Sequence, residues 1–439
     1  MKPSAQKSTL LFAAAMAMAG LSSAWAQETN GDDEFFGMDE AALVANIEDT
    51  GMAESSASLL VFQSARIGGN LEMSAGASAD AGGLSSLFSG DETAAAELDL
   101  SAVLFVDARP SELLRVFAKG QADYPFDEAS DFALRELFAD LTVSSIFIRT
   151  GKQTINWGVG HFFSPANVIN LGNKDPENPD SELIGPTAVK LQAPAGSSNW
   201  YAYAILQDME EKDTAGLAAR VEWVVGMTEM SLGGIYRPNQ PWAATATASG
   251  SLWDIDLYGE AAIKSDLDRN FVTVDSTSPL GVSVETSTEA TISATAGFSW
   301  SWSDDTGKVN ISLSGQYYWN GSGYADSGLF VDHADGVMAL LASGTISPAD
   351  LYQRGRQYGA VSLGFSDIGG TDLGLSAFWL GNIDDGSGKL TPSLTYTGIE
   401  NVKLSVFYTR IYGESGGEFS PTGPSGSIGF RVALSGVGF

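Results

Sequence analysis

Two histidines, His161 and His333, are the only imidazoles in 439 residues, and each lies among groups that could share chemistry with it. His333 sits in Val331-Asp332-His333-Ala334-Asp335, and an Asp-His pair is the arrangement that activates a serine or a water for hydrolysis. Gly413-Glu414-Ser415-Gly416-Gly417 has the spacing of a nucleophile elbow. The run from 173 to 182 sets Asp175, Glu177, Asp180 and Glu182 beside amide oxygens, the donor type that Ca²⁺ takes. Each feature also has a plainer reading. A histidine in a polar loop is usually solvated. With 50 glycines in the chain, an elbow-like match arises by chance, and this one follows a strand-like segment instead of preceding a helix. Two prolines and the lack of EF-hand spacing make 173–182 a solvated acidic loop. The chain contains no cysteine, which removes thiolate nucleophiles, thiolate metal sites and disulfides together. The reading is a non-enzyme with no cofactor.

The remaining charges have to be placed by the elements that carry them. From about residue 57 the chain is a series of segments around ten residues long, separated by Gly, Asp, Asn, Ser and Pro clusters, as in membrane β-barrels. Val309, Ile311, Leu313, Gly315, Tyr317 and Trp319 share one face of a strand, and Asn310, Ser312, Ser314, Gln316, Tyr318 and Asn320 the other. Ile292, Ala294, Ala296, Phe298, Trp300 and Trp302 alternate in the same way with Thr291, Ser293, Thr295, Gly297, Ser299 and Ser301. Trp253, Ile255, Leu257 and Ala261 oppose Asp254, Asp256, Tyr258, Glu260 and Lys264, a polar face that a dry core could not hold without pairing every charge. Leu98 to Val106 and Val402 to Tyr408 repeat the pattern. The aromatics Tyr317, Trp319, Trp300, Trp302 and Trp223 fall at or near segment ends, where amphipathic rings favour a headgroup boundary. The expected fold is all-β, a transmembrane antiparallel barrel of about 16 strands, within 14 to 18. Gly- and Asp-rich stretches at 172–185, 267–289, 322–354 and 413–425 read as loops, and Ser303 to Gly307 and Asp384 to Gly388 as tight turns.

Three regions follow. Lys2 and Lys7 precede an apolar run from Leu10 to Leu21 and the small-x-small site Ala24-Trp25-Ala26, so residues 1–26 read as a signal peptide and the mature chain begins at Gln27. Residues 27–56 hold a short acidic helix that plugs the barrel, extends into the periplasm or lacks fixed structure, and 57–439 form the barrel. Cleavage removes two lysines and no acid, taking the formal charge from −31 to −33. With no basic cluster in view, nucleic acid is excluded as a partner. A hydrophobic content of 44% with aromatics spread along the chain argues that most of it folds despite the charge.

The final segment, SIGFRVALSGVGF, sets Ile428, Phe430, Val432 and Leu434 on one face and ends with Val437 and Phe439 two apart. It resembles the terminal strand of bacterial outer-membrane barrels, which ends in Phe and is read by the assembly machinery. Because Ser435 and Arg431 fall on the Phe439 register, a bulge near Gly436 is needed to bring both halves onto one face. RTGKQTINWGVGHFFSPANVIN at 149–170 resembles a strand-and-turn motif of several porin-like barrel families. That resemblance implies that Arg149, Lys152 and Gln153 end a strand or face inward, that Gly158 and Gly160 let the chain fold sharply, and that Pro165 and Asn170 shape an inward loop. Glu97, Asp99, Asp254, Asp256 and Glu260, with Arg115, Lys119, Arg149, Lys152, Arg220 and Lys264, resemble the mixed-charge constriction of porins. The expectation is an outer-membrane porin for small polar solutes, weakly cation-selective, embedded in outer-membrane lipid and open to trimerisation. The alternatives are a plugged transporter for hydrophobic molecules and a structural barrel without conductance.

Overall fold

The computed structural model describes residues 58–438, apart from 63–64, 81–93, 126–129, 207–214, 239, 266–269, 288, 325–327 and 421–424. The signal segment, the acidic segment 27–56 and the terminal Phe439 lie outside the described residues. The chain runs through β1 (Ser58–Phe62), β2 (Ala65–Asp80), β3 (Ala94–Ser111), β4 (Leu114–Pro125), β5 (Asp131–Val143), β6 (Ile146–Lys152) and β7 (Thr187–Ala195). It continues through β8 (Ser198–Ile205), β9 (Gly216–Val225), β10 (Thr228–Tyr236), β11 (Ala243–Leu252), β12 (Ile255–Lys264) and a small hairpin of β13 (Asn270–Val274) and β14 (Val282–Thr286). The last strands are β15 (Thr291–Ser303), β16 (Asn310–Trp319), β17 (Gln357–Ser366), β18 (Leu373–Asn382), β19 (Ser387–Ile399), β20 (Val402–Tyr412) and β21 (Ser425–Gly438).

Each wall strand pairs antiparallel with its neighbour in sequence, β12 passing to β15, and β2 pairs with β21 to close an 18-stranded barrel. The count is at the upper end of the sequence range because two hairpins in the 187–225 stretch are built from strands of only eight to ten residues. At the closure Leu71 stands opposite Val437 while Met73 stands opposite Leu434, so β21 carries one extra residue between 434 and 437. This is the bulge that the terminal segment requires.

Alternation decides which way each strand faces. In β16 Tyr317 and Trp319 are exposed on the outside while Gln316 and Tyr318 are buried inside, and in β15 Ile292 and Trp302 are exposed while Ser293 and Thr295 are buried. Trp200, Trp253 and Trp302 lie beside the short turns at one rim, and Tyr124, Tyr236, Trp242, Tyr317 and Trp319 near the long loops at the other. Trp302 pairs with Ile311, and Trp319 is eight positions further along that strand, about 27 Å at 3.4 Å per residue. That separation matches the apolar band of a membrane barrel between its aromatic girdles. Among the described residues no helix is long and apolar enough to cross a membrane.

The loops are less bare than their composition suggests. The 267–289 stretch contains the β13–β14 hairpin, and 322–354 contains α1 (Leu329–Asp332) and α2 (Ala334–Ala342). Val272 and Val282 of the hairpin pack with Phe330, Val337, Leu340 and Ile346, so the two loops share an apolar core over the long-loop rim. The turn residues Gly307 and Gly386, with φ of 64° and 66°, adopt the left-handed conformation expected of them.

Candidate functional site: a segment folded into the lumen

The connection from β6 to β7 spans residues 153–186 and leaves the wall for the barrel interior. Its first pass, 153–170, crosses the lumen. Ile155, Trp157 and Ile169 are buried against Ala188, Tyr203, Ile205, Ala218, Ile235 and Ala243 of β7 to β11. Phe162 and Phe163 are buried on the far side against Tyr318, Tyr358, Ala360 and Leu380 of β16 to β18, with the Phe163 ring stacked on Tyr318 at 4.9 Å between centroids.

A backbone taken out of its sheet must find other partners for its N–H and C=O groups, and two wall side chains supply them. The Glu260 carboxylate of β12 accepts from Gly160 N at 2.5 Å, Ala166 N at 2.8 Å and Ser164 Oγ at 3.3 Å. Gln316 of β16 accepts from Phe162 N at 2.7 Å and donates to the Phe163 carbonyl at 2.6 Å and to Thr295 Oγ1 at 2.6 Å. Asn170 closes the pass on itself, accepting from Ile155 N at 3.0 Å and donating back to the Ile155 carbonyl at 2.9 Å. Gly158 and Gly160 are required by crowding and not by a left-handed backbone. A Cβ on Gly158 would strike Ser164 Oγ, and one on Gly160 the Phe163 carbonyl. Gly233 of β10 lies beneath the Trp157 ring for the same reason.

The second pass, 171–186, is held differently. Lys119 of β4 donates to Glu182, and Lys389 of β19 donates to Glu177 at 2.6 Å. Two of the four acids of 173–182 are thus paired to two sides of the wall, and among the described residues no group of three or more metal-ligating side chains converges. Lys174 donates to the Gly160 carbonyl at 3.3 Å, tying the passes together. Burial pushes its ammonium below the usual range, although Asp180 and Glu260 pull it up. Burial, with Lys174 close by, also lowers the His161 imidazole.

Between this segment and the wall of β5 to β9 lies a cavity of about 550 Å³. Its wall side carries Glu136, Arg149, Lys190, Tyr201, Arg220 and Glu222, and its inner side Asn156, Ser164, Lys174, Asp180 and Glu182. Arg149 binds Asp140 through two hydrogen bonds of 2.7 and 3.0 Å and lies 3.8 Å over the Phe138 ring. Arg220 pairs with Glu222 at 2.8 Å and donates to the Asn156 carbonyl at 3.1 Å. Toward β2 the row continues through Asp107, which meets Arg115 at 2.9 Å, Arg109 at 3.4 Å and Arg66 at 3.5 Å. Fixed charges on a polar, partly open wall can steer ions and polar solutes without covalent chemistry.

The solved structures similar to this chain share its architecture. OccAB1 of Acinetobacter baumannii is 10% identical, with 87% of this chain and 99% of that one covered at a TM-score of 0.50. The fold, a closed antiparallel barrel, is shared with that protein. The outer membrane protein opdK of Pseudomonas aeruginosa (10% identical, 86% and 100% covered, TM-score 0.48) and a triple mutant of the Rhodopseudomonas blastica porin (10%, 84% and 99%, 0.44) match more loosely. No protein-family model matches the chain, and no curated protein does.

Within this barrel, Arg115, Lys119, Arg149 and Arg220 are brought together along one inner arc. Glu260 is buried, as the arc residues are, and its carboxylate is taken up by amides of the inner segment. Lys152 ends β6 opposite Leu137, whose side chain is exposed on the outer face, and stands apart from the arc. Asp254 is in the β11–β12 turn, Asp256 accepts from Ser251 at the short-turn rim, and Lys264 ends β12 beneath the loops. Asp99 is exposed near the long-loop end of β3. Glu97 pairs with Gly76 in the ladder, and its side chain lies outside the description, as does that of Val437. His333 joins α1 to α2, and Ser415 sits in the loop after β20 with no helix following. Sequence reading missed Lys190, Glu222, Asp107 and Asp140. Lys190 between the outward Val189 and Leu191 carried the same period-two signal that exposed the others.

Proposed function

We propose that the chain is an outer-membrane channel for passive diffusion of small polar solutes, weakly cation-selective, with no covalent chemistry. The observation that carries the reading is the pinned inner segment, which narrows the barrel and leaves a charge-lined cavity of about 550 Å³ between itself and β5 to β9. Narrowing by a folded-in loop with fixed charge on the opposite wall is a way to size and orient polar solutes. A transporter for hydrophobic molecules would need an apolar path, and this space is lined by ion pairs. The formal charge of −33 after signal cleavage supports cation preference, since the summed field enriches counter-ions near the mouth. Contact with outer-membrane lipid, recognition by the barrel assembly machinery and trimerisation belong to the same reading.

The test is planar-bilayer recording of refolded residues 27–439, with heat-modifiable gel migration as the check on folding. Stable steps proportional to salt and a reversal potential on the cation side are expected. A folded barrel without steps would favour a structural role.

A further inference from the structure

The outer face of β17 to β21 carries one charge among the described residues. On β20 the outward positions are Leu404, Val406, Tyr408, Arg410 and Tyr412 by alternation, because Val406 stands opposite Leu394 and Phe430 and all three are exposed. The outward positions of the four neighbouring strands hold Gly, Pro, aliphatic and aromatic residues, with Gln357 at the rim. Arg410 is exposed in that surface.

Its height follows from the girdles. Tyr396 of β19, near the short turns, pairs with Leu404, and Tyr412 is eight positions further along β20, about 27 Å at 3.4 Å per residue. Arg410 is two positions before Tyr412, so it lies at the long-loop edge of the apolar band, the extracellular edge in bacterial barrels. A guanidinium turned toward lipid is disfavoured, least so near the boundary, and it has five N–H groups to satisfy. Arg410 donates to the Ser425 carbonyl at 3.5 Å and meets no carboxylate among the described residues. The acids of the adjoining rim are engaged elsewhere. Asp384 accepts from the Arg356 and Gln357 amides, Asp385 from Ser387 Oγ and Glu418 N, and Glu418 from Tyr358, while Glu414 is exposed in the loop beyond Tyr412.

A second donor lies beside the guanidinium. Trp379 Nε1 donates to Tyr412 Oη at 2.6 Å, which leaves the Tyr412 hydroxyl its own proton to give outward. Both rings lie close over glycines: a Cβ on Gly381 would meet the Trp379 ring at 2.8 Å, and one on Gly388 would strike Tyr412 Oη. Leu390 separates Trp379 from Arg410 across the three strands, and Leu394 and Val406 continue the apolar surface toward the membrane centre. A guanidinium and a hydroxyl above an apolar wall complement a lipid whose head is a phosphate.

We propose that the outer face of β18 to β20 binds an outer-leaflet lipid through its phosphate, with Arg410 and Tyr412 as headgroup contacts and Leu390, Leu394 and Val406 along its chains. The proposal goes beyond the channel reading and does not need the barrel to conduct.

The test is native mass spectrometry of refolded residues 27–439 in detergent, with heat-modifiable migration as the folding check. Phosphatidic acid, whose head is a phosphate monoester, should be retained at about tenfold lower concentration than phosphatidylcholine of the same chains, and Arg410→Gln should remove about that factor. Arg410→Lys should keep part of the preference. Arg431→Gln, on the inner face over Phe407, should change nothing. Equal retention of phosphatidic acid by the parent and Arg410→Gln overturns the proposal. Displacement of the lipid by inorganic phosphate at the same concentration also overturns it, in favour of a free anion. Loss of a dimer or trimer mass in Arg410→Gln with lipid retention unchanged overturns it in favour of a second copy of the chain.

Discussion

The two passes of the inner segment, 153–170 and 171–186, lie in the same lumen and are held by opposite physics. The first is fixed by hydrogen bonds from buried amides to Glu260 and Gln316 and by rings packed into both walls. The second is tethered by Glu182 to Lys119 and by Glu177 to Lys389, with the acidic partner of each pair 38% and 48% exposed. Buried, satisfied polar groups are costly to break because the partner left behind stays buried. A largely exposed ion pair such as Lys389–Glu177 contributes little and weakens with salt, whereas the buried Lys119 makes the Glu182 tether the firmer of the two. A constriction built this way has a rigid beam and an adjustable edge.

The sharpest way to break that comparison is at Glu260. Glu260→Ala leaves Gly160 N and Ala166 N without their acceptor and should lower stability by about 2–6 kcal/mol, at roughly 1–3 kcal/mol for each orphaned buried amide, read as a lower temperature for the gel-mobility shift. Open-channel noise should rise as the beam loosens. Unchanged melting and noise would mean that aromatic packing alone fixes the first pass. Gln316→Ala removes neutral bonds and should cost less, about 1–3 kcal/mol, with a milder rise in noise. If it equalled or exceeded Glu260→Ala, charge would not be what makes the first pin stronger.

On the adjustable edge the effects should be small. Lys389→Gln should leave melting within about 1 kcal/mol of the parent and increase flicker only at low salt, with the difference gone near 1 M, where screening falls to about 3 Å. Flicker that persists at high salt would give the second pass a stronger anchor than its ion pairs. A smaller effect still is expected in the loop after β20, which folds inward beside the same aromatic cluster. There Glu418 accepts from Tyr358 Oη at 2.6 Å and Asn382 Nδ2 at 2.8 Å. Burial pushes the Glu418 carboxyl above the usual range, with Asp385 adding to the rise and Arg354 opposing it. The docked loop therefore holds its proton more tightly than a released one. Docking should be firmest in acid and loosen as the pH rises through the raised value. Hydrogen exchange of the loop amides, corrected for intrinsic pH effects, should show that opening, and Glu418→Gln should remove it.

Strand faces, the tight turns and the β21 bulge were legible because a membrane barrel imposes the period-two pattern on every wall strand, and a bulge disturbs it visibly. The pins were not. Glu260 reads as one more lumenal acid, and only the fold brings it to Gly160 and Ala166, about a hundred residues away in sequence. Gly158 and Gly160 were marked as special for sharp folding, but crowding against Ser164 and Phe163 is what forbids a side chain. The acids of 173–182 are exposed, as their composition indicated, but that two of them, Glu182 and Glu177, reach Lys119 and Lys389 was hidden because these lysines are far off in sequence. Loop composition hid the shared core of 265–290 and 320–356 because its apolar residues are diluted by Gly and Ser.

The most direct measurement uses the absence of native cysteine. Asn156→Cys, at an exposed position lining the cavity, and Tyr318→Cys, on the wall covered by Phe163, are recorded separately while a charged methanethiosulfonate reagent is added. Current should fall irreversibly in the Asn156 variant and hold steady in the Tyr318 variant. Equal modification of both, or modification of Tyr318→Cys alone, would contradict a segment that seals the β16–β18 side and leaves its cavity toward β5 to β9 open.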